Sequence, residues 1–291
     1  MSAEGAMLFA RYAYPPNELG YCGPADAAAL LRRDATADIE RRARQFEGAW
    51  CYLQFLAETA GLPDPLDVRV VEAYWIGSEL LDRVDPVALV ERMTDRFRGQ
   101  LGGTWREAGG RALAHHSFQV FEVYPWAPML RGSGRPTALS VLDQCRIRTG
   151  MVVGADSDVA TVRSRPLCWD GAGLVVGAWR QETVRWSAGG RTLIDGLSPG
   201  DRVALHWDWV CDVITDEQAR RIESLEERRL TELGLFGTAT RQWLTTDPTS
   251  TTPGQHAWTG AAPPPGAAMP APAPAPAILT CDSVDQGEAD A

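Results

Sequence analysis

Lysine is absent: all 28 residues in the combined Lys and Arg count are arginine. Lysine chemistry such as a Schiff base is therefore excluded. Positive charge is also in short supply, with 38 Asp and Glu and a formal net charge of -10, which disfavours non-specific nucleic-acid binding. No run approaches the roughly 18 to 20 continuous apolar residues needed to span a bilayer. The N-terminus lacks a basic segment followed by an apolar run and a small-residue cleavage site, so the chain reads as cytoplasmic, with no membrane association. The six cysteines, Cys22, Cys51, Cys145, Cys168, Cys211 and Cys281, form no C-x-x-C pair. Neither a disulfide framework nor a thiol-ligated zinc site is suggested, and they read as reduced thiols.

The fold class expected is α+β: a mainly helical N-terminal domain over residues 1–136, a small OB-like β-barrel with a C-terminal helix over 137–245, and a disordered tail over 246–291. Residues 24–98 carry apolar residues at three- and four-residue steps, as in Ile39, Ala43, Phe46, Trp50, Leu53 and Leu56. Asp34 and Thr36 offer N-caps, Gly61 a stop, Asp64 with Pro65 a restart, and Asp85-Pro86 a further helix start. Gly99, Gly102 and Gly103 close that helix. The segment from His115 to Tyr124 fits a strand or one side of a helix, and residues 131–136 are the best linker. Beyond them come short β-rich runs, such as Val159 to Val162 and Val203 to Leu205, separated by Gly, Asp, Ser and Pro clusters, as in a small barrel or sandwich. Thr215-Asp216-Glu217 caps a helix bearing Ile222, Leu225, Leu230, Leu233 and Leu235. From about Thr245 the chain is rich in Pro, Ala, Thr and Ser, which cannot bury enough apolar surface to offset its ordering entropy.

Two segments carry the functional signal. One is Cys145-Arg146-Ile147-Arg148-Thr149-Gly150-Met151-Val152-Val153; the other is Gly200-Asp201-Arg202-Val203-Ala204-Leu205-His206, followed by a further strand and the acidic start of a helix. Together, over residues 144–230, they resemble the HypC/HupF-type hydrogenase maturation chaperones. The resemblance implies an OB-like barrel that carries iron with cyanide and carbon monoxide ligands. It also implies a HypD-like maturation protein or the hydrogenase large subunit as partner. Cys145 would then be the iron-binding thiolate and His206 its companion. A soft thiolate suits low-spin iron, and a neutral imidazole can ligate a metal or donate a hydrogen bond. Arg146 and Arg148, near the cysteine in sequence, could lower its pKa. In that family the cysteine follows the initiator methionine; here it is internal. The whole chain is also similar to a bacterial domain of unknown function, which assigns no site.

A second reading centres on Cys22, which precedes Gly23-Pro24 at an expected helix start, where free backbone N–H groups stabilise a thiolate. This segment resembles the nucleophile region of papain-like and bacteriocin-processing peptidases. Asn17 would supply an oxyanion contact, and His115 or His116 the base of a cysteine-dependent hydrolase or transferase. A metal site shared by Cys22 and a histidine is a variant of it. The bland readings are a helix-entry turn with an incidental thiol, one core and one surface histidine at 115 and 116, and a non-catalytic adaptor. Trp207 and Trp209 read as one strand face, with Trp207 supporting His206. The leading expectation is an accessory protein rather than an enzyme.

Overall fold

The computed structural model describes residues 3–97 and 103–234. The expected tail over 246–291, and the roles given to Gly99, Gly102 and Leu235, lie outside the described residues.

The first helix, α1 (Ala3–Glu18), is one the apolar spacing of 24–98 does not announce. It runs into Pro15 and Pro16 in its last turn, yet it is the central helix of the layer, with Phe9 and Tyr12 fully buried. Burying such side chains contributes roughly 1.5 to 3 kcal/mol each, and α1 packs on both helices and strands. Gly5 lets it approach its neighbour, because a Cβ there would lie 1.9 Å from the Leu66 carbonyl oxygen.

A short 3₁₀ turn at Ala27–Leu31 leads to α2 (Thr36–Ala43) and α3 (Glu47–Ala60). The continuous apolar spacing from Ile39 to Leu56 is thus split in two. Phe46 leaves helical geometry at the break, with its ring edge-on to Phe9 at 5.2 Å, so tertiary packing overrides local periodicity. The N-cap of α2 is Ala35, with no side-chain cap from Asp34 or Thr36. Gly61 does stop α3, in the left-handed conformation at φ 68°. Next is α4 (Val68–Trp75), capped by Asp67, while Asp64 accepts from the Leu66 amide in the preceding turn. Asp85 caps α5 (Pro86–Arg96) as expected, with Pro86 in its first turn.

The segment from His115 to Tyr124 is helical: α6 (His116–Phe118) passes into a π-helical turn, Gln119–Val123. After α7 (Trp126–Met129), the chain enters α8 (Arg135–Cys145). Residues 131–134 form the turn between α7 and α8, and Pro136 sits in the first turn of α8, where its missing N–H costs nothing.

The strands are β1 (Arg148–Asp156), β2 (Val159–Ser164), β3 (Leu167–Trp169), β4 (Leu174–Val176), β5 (Arg180–Arg185), β6 (Arg202–His206) and β7 (Trp209–Val213). Five close a barrel in the order β1-β2-β5-β7-β6, antiparallel except for β5 beside β7. This five-stranded closure with a single parallel pair is OB-like, as expected. The β3-β4 hairpin is a separate two-stranded sheet inserted between β2 and β5. Helix α9 (Asp216–Glu232) follows, with a capping box between Thr215 and Gln218.

Val152, Val162, Val184, Val203, Leu205 and Val210 fill the barrel. Side chains alternate along β6, so Ala204 and His206 face outward. Ala204, Trp209, Cys211 and Ile214 belong to the same buried cluster as the residues of α1, α3 and α4. The main core thus lies between the helical layer and the outer wall of the barrel, and the boundary expected at 136/137 falls within the first turn of α8. Arg11 reinforces the contact, donating to Asp212 at 2.7 Å and to the Leu193 carbonyl at 3.1 Å.

Candidate metal centre

Under this layer three side chains converge: His116, Cys145 and His206. Their potential ligand atoms all lie within 4.8 Å of one another, and the residues are only 6%, 6% and 0% exposed. Each occupies an element end. His116 begins α6, Cys145 ends α8 and His206 ends β6.

The ends supply the hydrogen bonds that orient the rings. Cys145 is the last residue of α8, so its carbonyl is one of those a helix leaves without an internal donor, and it accepts from His116 Nε2 at 2.8 Å. His206 Nδ1 donates to the Tyr12 carbonyl at 2.7 Å. That carbonyl is free for a specific reason: its helical donors would be residues 15 and 16, and both are proline. The two prolines that make α1 look improbable thus provide an acceptor for a histidine 194 residues away.

A carbonyl oxygen only accepts, so the bonded ring nitrogens carry the protons. The lone pairs are then left on His116 Nδ1, which is 3.5 Å from the Tyr74 hydroxyl, and on His206 Nε2, which is buried without a hydrogen-bond partner. An unsatisfied buried group of this kind costs about 1 to 3 kcal/mol. The Trp75 ring packs 4.6 Å from the His116 ring and 5.7 Å from the His206 ring, and Tyr12 stacks on Trp75 at 5.5 Å.

This setting favours neutral forms. Burial lowers the pKa of His116 to about 4, opposed by its bond to the Cys145 carbonyl, and burial, with His116 adding to the effect, holds His206 well below its usual value. Burial, and then Cys22, push the Cys145 thiol well up. The arginines do not lower it. Arg146 is bound to Asp143 at 3.0 Å and Glu226 at 2.6 Å, and Arg148 to Glu182 at 3.0 Å and the Trp207 carbonyl at 2.8 Å. Two neutral imidazoles and a thiol that can shed its proton form a borderline-to-soft donor set suited to a transition metal.

The residues of the second reading are employed differently. The Asn17 Nδ2 group donates to the carbonyls of Cys22 and Pro24, at 2.8 and 2.7 Å, and so pins the turn. No eight-residue helix follows Cys22; the next element is the 3₁₀ turn, and burial raises the Cys22 thiol to about 12, away from a thiolate. His115 caps α6, its Nδ1 accepting from the Ser117 amide at 3.1 Å. Both histidines at 115 and 116 are buried, against the expectation that one lies on the surface. The second reading pairs Cys22 with His115 or His116; the structure groups His116 with Cys145 and His206.

Trp207 and Trp209 do not share a strand face. Trp207 occupies the β6-β7 turn at φ 56°, a left-handed conformation costing on the order of 1 to 3 kcal/mol. It is held by its amide bond to the Gln144 carbonyl at 2.7 Å and by stacking on Tyr21 at 4.3 Å. Instead of lying against the His206 ring, it ties the residue after His206 to the residue before Cys145. The aromatic neighbour of both histidine rings is Trp75.

The chain belongs to DUF6390, a family of unknown function. The match covers residues 1–236, which includes the helical layer, the barrel and all three converging residues. No curated protein matches the chain, and no solved structure does. Among the described residues of this DUF6390 member, no helix is long and apolar enough to cross a membrane.

Proposed function

We propose that the protein is a metal-handling accessory protein of nickel-iron hydrogenase maturation, which carries or docks the iron-cyanide-carbonyl unit through Cys145 and His206. The observation that supports this reading is the meeting of these two residues, about sixty positions apart, beside an OB-like barrel. The resemblance to the HypC/HupF-type chaperones is carried by the residues of segments 145–153 and 200–206. The iron would be cargo, and the partner a HypD-like maturation protein or the hydrogenase large subunit. A role in binding rather than catalysis fits a cluster whose thiol and imidazoles are neutral and enclosed.

The test is anaerobic purification of the full chain from its native host, with iron analysis and infrared spectroscopy for cyanide and carbonyl bands. Bands that disappear in Cys145→Ala, together with loss of iron-dependent partner association, are the expected result. Unchanged association and hydrogenase activity in that variant would overturn the role.

A further inference from the structure

We infer that His116 is a third protein ligand beside Cys145 and His206, so that the chain holds a soft first-row transition-metal ion as an internal clamp between its helical layer and its barrel. This rests on the reading that Cys145 and His206 bind metal, but not on any part in hydrogenase maturation.

The geometry supports three ligands rather than two. With metal-sulfur and metal-nitrogen bonds of about 2.3 and 2.0 to 2.1 Å, tetrahedral ligand atoms stand about 3.3 to 3.6 Å apart. One nitrogen of each ring and the Cys145 sulfur lie within 4.8 Å of one another, so an ion held by those atoms would draw any pair together by no more than about 1.5 Å. Each ring has one nitrogen on a backbone carbonyl, the kind of bond that fixes tautomer and orientation in histidine ligands, and His116 Nδ1 stands 3.5 Å from the Tyr74 hydroxyl, which would have to yield its place to an ion. His206 Nε2 is fully buried and unpartnered. The Cys145 carbonyl lies at the C-terminal end of α8, where the helix dipole favours a cation. On binding, the Cys145 thiol gives its proton to solvent and its sulfur lone pair to the ion, so one proton leaves per ion bound.

The three ligands come from elements that no local hairpin joins: α6 and α8 in the helical layer, β6 in the barrel. An ion shared among them would add to the apolar core that already joins the two layers, so their docking should be stronger with metal than without.

The experiment uses the full chain, stripped by chelation and titrated anaerobically with Co(II) or Zn(II) alone. One ion per chain, a thiolate-to-cobalt charge-transfer absorption and a rise in Tm on loading are expected. X-ray absorption of the zinc-loaded wild type should count one sulfur and two imidazoles. His116→Gln should weaken binding by 100-fold or more. If His116→Gln binds as the wild type does while Cys145→Ser and His206→Gln lose the ion, the third ligand is refuted and the pair survives. If the wild type takes up no ion, both fail. Should His116→Gln not fold, the wild-type spectrum decides alone, since a single imidazole overturns the inference.

Discussion

Replacing Arg229 with methionine tests what keeps His116 in place. Arg229 on α9 is 1% exposed and donates to Glu122 Oε1 at 2.5 Å; Glu122, in the π-helical turn directly after α6, is 0% exposed. Arg229 also donates to the Arg111 carbonyl at 3.1 and 3.2 Å, and its guanidinium lies 5.2 Å from the centre of the Phe118 ring, the last residue of α6. Without Arg229, Glu122 keeps Arg111 at 2.9 Å and a long Thr104 contact at 3.4 Å, but Arg111 is 33% exposed and does not replace a buried partner. Breaking a buried pair from one side costs about 3 to 5 kcal/mol, because the remaining charge is left in a low dielectric. Against a total stability of about 5 to 15 kcal/mol, that multiplies the unfolded fraction by roughly 10² to 10⁴. The assay is urea denaturation followed by circular dichroism, with Glu122→Leu/Arg229→Met as the control that removes both charges. The double variant should be destabilised by clearly less than the sum of the two single variants. A shift below about 1 kcal/mol for Arg229→Met alone, or strict additivity in the cycle, would refute the argument that this pair is the buried tie on α6.

Two further outcomes are expected. Pro16→Ala restores a helical N–H donor opposite the Tyr12 carbonyl and so competes with His206 Nδ1; cobalt affinity should fall by about 10-fold, with a changed His206 tautomer by nitrogen NMR, and an unchanged tautomer would contradict it. Metal-free protein should lose stability in acid: burial holds His115 at about 3 and His116 at about 4, so below pH 6.5 the unfolded chain takes protons that the folded chain refuses. Between pH 7 and pH 5 the two together cost about 4 kcal/mol, His206 shifts in the same direction, and stability is recovered above pH 6.5; a flat urea midpoint over that range would contradict it.

The barrel is readable in the sequence because its strands are short, β-branched and bounded by Gly, Asp and Pro, and each signal is local. Helix α1 is not, since Pro15 and Pro16 argue against a helix wherever tertiary contacts are ignored, and its stability comes from burying Phe9 and Tyr12 against other elements. The same holds for the break at Phe46, which follows from a ring contact with Phe9. At the candidate site, segment likeness singles out Cys145 and His206 together, and the structure brings the two into one cluster. His116 enters the sequence reading only as a partner for Cys22, because it begins a three-residue helix that no periodicity announces, and only the folded chain puts it beside Cys145. The Pro15-Pro16 pair, which leaves the Tyr12 carbonyl in need of a donor, bears on His206 alone.

The placement of the three donors also constrains how any cargo could leave. Two belong to the helical layer and one to the barrel wall, with Trp75 and Tyr12 packed against them. An ion held there would be enclosed by both layers, so its release would require parting them. The interactions opposing that motion are identifiable: Arg11 with Asp212 at 2.7 Å, Arg33 with the Ile194 carbonyl at 2.6 Å, and Gln218 with Glu72 at 2.9 Å. These are polar contacts near the surface, individually modest beside the shared apolar core. A partner that accepts metal from this protein would therefore have to compete for the barrel's outer wall as well as for the ion.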